Sequence, residues 1–236
     1  MALPVRDILQ RIGVLLQDED AVRWPLLERL DSLNDGLREI ALLKPNAFAR
    51  TVILPLIAGT RQSLPEAYSG LIGVTRMVTG TPQAPIGGRV VRTVPRESLD
   101  AAQPHWHDPA HVPLTSQARN LVYDALDPRS FHVYPGNDGT GLLEVIVAPR
   151  PPVLSAPEHP DRLDSYTAAI GLDDIYANAL VDYGLYRAFS KDNGVPGGVE
   201  RAALAYQQFT NALGLRAQAE GVVNPNRPPP AVGAQA

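Results

Sequence analysis

Residues 24–47 read W-P-L-L-E-R-L-D-S-L-N-D-G-L-R-E-I-A-L-L-K-P-N-A. Leu26, Leu27, Leu30, Leu33, Leu37, Ile40 and Ala41 recur at helical spacing and lay one apolar stripe along one face. In the middle of the stripe stand Asn34, Asp35 and Gly36, which are turn residues by habit. A glycine inside a helix costs about 1 kcal/mol. A helix that tolerates it gains something at that point, either close packing or a polar contact. The spacing predicts a helix that runs through the defect.

Upstream, Val5, Ile8, Leu9, Ile12, Leu15 and Leu16 repeat the helical template, with Pro4 in the first turn. That helix ends near Asp18-Glu19-Asp20; Pro25 opens the second helix and Pro45 stops it. Two amphipathic helices with a short connection read as an antiparallel hairpin. From about residue 48 the period changes to that of strands, at 51–54, 71–78, 87–94, 121–123, 131–134 and 142–148. Residues 59–65, G-T-R-Q-S-L-P, read as a turn, and P-G-N-D-G-T-G at 135–141 reads as the turn of a hairpin.

After Pro149-Arg150-Pro151-Pro152 the helical period returns in Leu172, Ile175, Tyr176, Ala179, Leu180, Tyr183 and Tyr186. A further stripe follows in Val199, Ala202, Ala203, Tyr206, Phe209 and Leu213. The expected fold class is α+β: an antiparallel helical bundle from the N- and C-terminal helix pairs, an inserted, mostly antiparallel β region, and an extended C-terminal tail. The expected segments are 1–47 (helical hairpin), 48–152 (β-rich insertion), 153–220 (C-terminal helices) and 221–236 (Pro-rich tail), all in one folded unit.

Hydrophobic residues make up 44% of the 236 and charged residues only 19%, so a core is expected under a modestly charged surface. With 23 Pro and 19 Gly, such a surface suits a protein packed among neighbours. The net charge of -4 argues against a basic nucleic-acid-binding domain. Lys44 and Lys191 are the sole lysines, so arginine carries the positive charge and favours planar, bidentate contacts. The absence of cysteine excludes disulfides, thiolate metal sites and a Cys nucleophile. M-A-L-P-V-R-D does not resemble a signal peptide, and no apolar run nears the roughly 20 residues of a membrane span, so a soluble, cytoplasmically made protein is expected.

Few constellations suggest chemistry. P-H-W-H-D-P-A-H at 104–111 places three imidazoles and a carboxylate close in sequence, as zinc ligands would be. Two prolines make it a loop, and nothing in the sequence fixes His111 beside His105 and His107. The turn at 135–141 lacks the spaced carboxylates and final Glu of a calcium loop. There is no G-x-S-x-G elbow, no H-E-x-x-H and no phosphate-cradling loop. Helix-end electrostatics account for Asp173-Asp174, and solvation for Asp18-Glu19-Asp20. No catalytic, cofactor or metal residue is therefore assigned. Arg187 and Asp192 interrupt an otherwise apolar helix side, and Arg187 is complementary to Asp31, Asp35 or Glu39 of the second helix. Asp35, Gly36, Arg187 and Asp192 are thus candidates for tying the helix pairs together.

With these segments in order, the chain resembles the adaptor (head-to-tail connector) proteins of tailed bacteriophages, including the tail tubular protein A type. The resemblance rests on W-P-L-L-E-R-L-D-S-L-N-D-G-L-R-E-I followed by K-P-N-A, then G-T-R-Q-S-L-P and V-T-R-M. It continues in D-P-R-S-F-H-V-Y-P from Asp127 to Pro135 and L-V-D-Y-G-L-Y-R-A-F-S-K-D from Leu180 to Asp192. It spans roughly residues 3–213 and lies in the order and spacing of the motifs, none of which is a catalytic signature.

The resemblance implies a structural virion protein forming a closed ring of about twelve copies around the DNA channel. It implies a portal partner above and a tail nozzle or tube protein below, DNA passing without sequence-specific contact, and no membrane. The location would be the head–tail junction of the virion, and the host cytoplasm during assembly. In such proteins the C-terminal segment reaches the portal, which makes Asn224, Pro225, Asn226, Arg227, Pro228, Pro229 and Pro230 portal-contact candidates. The acidic balance suits a conduit to which DNA must not adhere. A head-completion, gatekeeper or other tail protein is the nearest alternative. A metal-dependent hydrolase using His105, His107 and His111 is the alternative from another class.

Overall fold

The computed structural model describes residues 3–81, 83–124, 126–192, 194 and 196–223, with side chains as far as residue 214. The chain opens with helices α1 (Val5–Leu16) and α2 (Leu26–Leu43), then strands β1 (Arg50–Pro55), β2 (Gly59–Ser63), β3 (Tyr68–Thr81), β4 (Ala84–Val90) and β5 (Arg92–Thr93). A short helix α3 (Arg96–Ala102) precedes β6 (Asn120–Tyr123), β7 (Ser130–Asn137) and β8 (Leu142–Pro149). Helices α4 (Ala177–Lys191) and α5 (Gly198–Val223) follow. The structure is mixed α+β. It divides into two compact units: Met1–Ala47 with Pro151–Ala236, and Phe48–Arg150.

In the helical unit, Pro4 and Pro25 stand extended immediately before α1 and α2, where a missing N–H costs nothing. Val5, Ile8, Leu9, Ile12 and Leu16 of α1 are buried, as are Leu26, Leu30, Leu33, Leu37 and Ile40 of α2. Each such side chain contributes about 1.5–3 kcal/mol by leaving water. α2 runs unbroken through Asn34-Asp35-Gly36. α4 packs against α1, α2 and α5. In α5 the inward residues are Ala202, Ala205, Phe209 and Leu213, while Val199 is 61% exposed. The helix runs on to Val223, past the boundary expected at 221. Among the described residues no helix is long and apolar enough to cross a membrane.

The β unit holds two four-stranded sheets, ordered β1-β8-β3-β4 and β2-β7-β6-β5. All pairings are antiparallel except β5 with β6. Val52 faces Val145, and Leu54 and Met77 both face Leu143. Leu54, Leu71, Met77, Leu143, Val145 and Val147 of the first sheet share one core with Leu121, Phe131 and Val133 of the second.

Three expectations are corrected here. Residues 59–63 form β2 rather than a turn, because Gln62 is buried and satisfied: its Nε2 donates to the carbonyls of Ile57 and Gly59, and its Oε1 accepts from Ile57 N. The strand expected at 87–94 is two, β4 and β5, with α3 after them. The hairpin turn expected at 135–141 is not one: 135–137 belong to β7, and β7 pairs with β2 and β6, whereas β8 pairs with β1 and β3. Asn137, fully buried, shapes this crossing; its Oδ1 accepts from Gly139 N and Gly141 N, and its Nδ2 donates to Thr115 O.

Candidate functional site

The residues that define the helical unit sit where its helices meet. A Cβ on Gly36 would lie 3.0 Å from Tyr183 Cδ1 and 3.4 Å from a Leu180 methyl, so glycine lets α2 approach α4 closely. Arg187 Nη2 of α4 lies 3.3 Å from Asp35 Oδ2, with Arg38 also on Asp35 at 2.9 Å. Of the three carboxylates open to Arg187 in the sequence, Asp35 is the one it meets. Glu39 instead accepts from Tyr206 of α5 at 3.0 Å. Asp192 is paired with Arg23, in the connection before α2, at 2.9 Å. Lys191 and Glu28 add a contact between α4 and α2 at 2.6 Å. Pairs as exposed as Arg187–Asp35 and Lys191–Glu28 contribute under about 1 kcal/mol each and mainly set register.

Two contacts have partners that the sequence did not name. The first is Asn34, whose Nδ2 donates to Leu154 O at 2.9 Å and whose Oδ1 accepts from Leu154 N at 2.8 Å. A residue with the chemistry of a helix breaker is thus a main-chain clamp on the segment that leads towards α4. The second is Asp18, for which solvation is the wrong account. Its carboxylate accepts from Val22 N, Arg23 N and Trp24 N and pairs with Arg29, which also donates to the Asp18 carbonyl. Burial pushes the Asp18 carboxyl up, but these donors together outweigh it and hold the group below its ordinary value of 3.8. Gln17 and Ala21 take left-handed conformations to close this loop. Asp173 caps the turn before α4 by accepting from Ile175 N.

The imidazoles of 105–111 separate. His105 and His111 stack with ring centroids 4.6 Å apart, and His111 Nδ1 lies 2.9 Å from Asp108 Oδ2. His107 lies against Trp106 and is 2.8 Å from Thr60 Oγ1, with the His132 ring 5.3 Å away. Burial, then the nearby Arg96, lowers the His107 pKa; burial, then His107, Arg96 and Arg61, lowers that of His132. Both shifts favour the neutral form of rings that serve as packing groups. Trp106 is 1% exposed and donates from Nε1 to Asp100, which makes this loop an anchor for a small satellite core with Leu99 and Val122. Among the described residues no group of three or more His, Asp or Glu could hold a metal ion. The portal-contact candidates Asn224 to Pro230 lie outside the described residues.

What this arrangement offers is scaffolding: a helical unit braced by the pairs Arg29–Asp18, Arg187–Asp35, Arg23–Asp192 and Lys191–Glu28, and a two-sheet unit braced by Arg76–Glu144. A family model described as SU10 adaptor protein matches residues 4–229 of the chain, nearly its whole length. No curated protein matches it.

Proposed function

The chain belongs to the SU10 adaptor protein family, a phage adaptor family, and from that membership we propose that it is a structural virion protein that forms a ring joining the portal to the tail. The ring encloses the DNA channel and carries no catalytic chemistry. About twelve copies are proposed, a number that a head-to-tail contact repeated about an axis can close. The helix pairs act as one bundle, tied through Asp35, Gly36, Arg187 and Asp192, so that the helical unit of each copy is a stiff element of the ring. The segment from Asn224 to Pro230 is proposed to lie in a groove of the portal, since a proline-rich extended segment loses little conformational freedom on docking. The other end of the ring meets the tail nozzle or tube.

The observation that carries this reading is the family match over residues 4–229. The net charge of -4 supports it, because a channel wall that releases rather than retains DNA needs few unpaired cations. The proposed place of action is the head–tail junction of the virion, after assembly in the host cytoplasm. Imaging of the chain mixed with its portal tests the ring. A chain ending at Gly221 tests the tail: full portal affinity in that variant refutes the tail's role.

A further inference from the structure

The sheet ordered β1-β8-β3-β4 ends in two strands with one neighbour each. Among the described residues, neither 50–55 nor 84–90 makes a main-chain hydrogen bond to main chain outside this sheet. All seven residues of β4 are exposed, and Ile86 and Val90 are 64% and 63% exposed. β4 is nonetheless held tightly on its inner side. A Cβ on Gly88 would lie 2.9 Å from Met77 O, and one on Gly87 would lie 2.5 Å from Arg76 Nη1. Arg76 is itself fixed by Glu144 at 2.9 Å. The outer edge of β4 is therefore a firm, open template rather than a loose flap. Open edges of this kind invite another strand unless something covers them.

The strand directions identify what fits. β1 is antiparallel to β8, β8 to β3 and β3 to β4, so β1 and β4 point in opposite directions. A second copy that continues the sheet presents its β1 to β4 antiparallel, the more stable pairing. Pro55 closes β1 and Pro85 stands near the start of β4; proline has no N–H to give a ladder, so pairing is confined to 50–54 against 86–90. Matching these segments end to end, 50 with 90 and 54 with 86, puts Thr51 opposite Arg89, within the stretch between Gly87 and Val90 where β4 bulges against β3. The two edges are different surfaces, so the contact is head-to-tail and repeats in one direction, and strand twist turns each copy relative to the last.

We propose that β4 of one copy pairs with β1 of the next, so that one sheet continues from copy to copy. The proposal deepens the ring reading above and rests on it. Because the chain has no cysteine, two introduced thiols report the contact cleanly. Full-length Thr51→Cys and Arg89→Cys variants are mixed and mildly oxidised, and the doubly substituted chain is treated in the same way. The mixture gives a disulfide-linked pair, neither single variant does so alone, and the double variant gives a ladder of covalent multimers. Ile86→Lys on the exposed edge, added to the double variant, removes the ladder without lowering Tm.

Closed rings with no cross-link overturn the strand pairing and leave the ring standing. A covalent ladder from open chains that never close upholds the pairing and refutes the ring. Like-with-like cross-links overturn the head-to-tail contact, and a chain that stays monomeric and uncross-linked with its portal present overturns both readings.

Discussion

Arg29 Nη2 lies 2.9 Å from Asp18 Oδ2, with 4% of the arginine and 10% of the aspartate side chain exposed. The same carboxylate gathers three backbone N–H groups of the connection that follows α1. The pair thus ties the connection after α1 to the first turns of α2. A Cβ on Gly13 would lie 2.5 Å from Arg29 Nη1, so the guanidinium occupies the space that this glycine leaves.

Asp18→Ala leaves Arg29 buried without its carboxylate and frees three main-chain donors. A loss of about 3 kcal/mol is expected, read as a lower midpoint in chemical denaturation. The folded state holds the Asp18 carboxyl below 3.8, so its contribution is present above that pH and is lost as pH falls through the folded value. The acid-unfolding curve of Asp18→Asn, measured beside the parent, should show a smaller fall in stability over that range.

Glycines in two helices should respond in opposite directions. Gly36→Val pushes against the Tyr183 ring, which cannot yield as a flexible chain end would, and should cost about 2 kcal/mol. A Cβ on Gly214 in α5 would have nothing within 4 Å, so Gly214→Ala should stabilise by about 1 kcal/mol. Thermal melts of the two variants check both signs.

Arg187→Ala should cost less than about 1 kcal/mol, since the pair with Asp35 is 46% and 36% exposed on its two sides. A double-mutant cycle with Asp35→Ala should give a coupling that fades as salt is raised. A coupling that is large and insensitive to salt would contradict this.

His107 and His132 carry pKa values lowered by burial and by neighbouring positive charge. The unfolded chain therefore binds more protons than the folded one just below the ordinary value of 6.5, and stability rises with pH across that window. Melts between about pH 5 and about pH 7 should show this slope, and it should be shallower in His132→Gln.

The helices were legible because burial on one face leaves a period in the sequence. Val5 to Leu16 and Leu26 to Ile40 show it, and Pro4, Pro25 and Pro45 mark their ends. β2 was not legible, since G-T-R-Q-S is polar throughout and Gln62 is buried by hydrogen-bonding to its own loop. Residues 138–141 carry turn chemistry that serves a hairpin and a crossing between sheets equally well. Asn137, in the end of β7, decides between them through Thr115, which is distant in sequence. Among the candidate site residues, the partner of Arg187 was narrowed to three carboxylates by composition, and three-dimensional packing selects Asp35. Asp18 was hidden among acidic neighbours, because its partner Arg29 lies one helix start away.

Imaging the purified full-length chain by negative stain, alone and mixed with the portal of its own phage, tests the ring reading most directly. Closed rings stacked on the portal, with a central channel wide enough for duplex DNA, are the predicted result. Bare portals beside a chain that stays monomeric would contradict it.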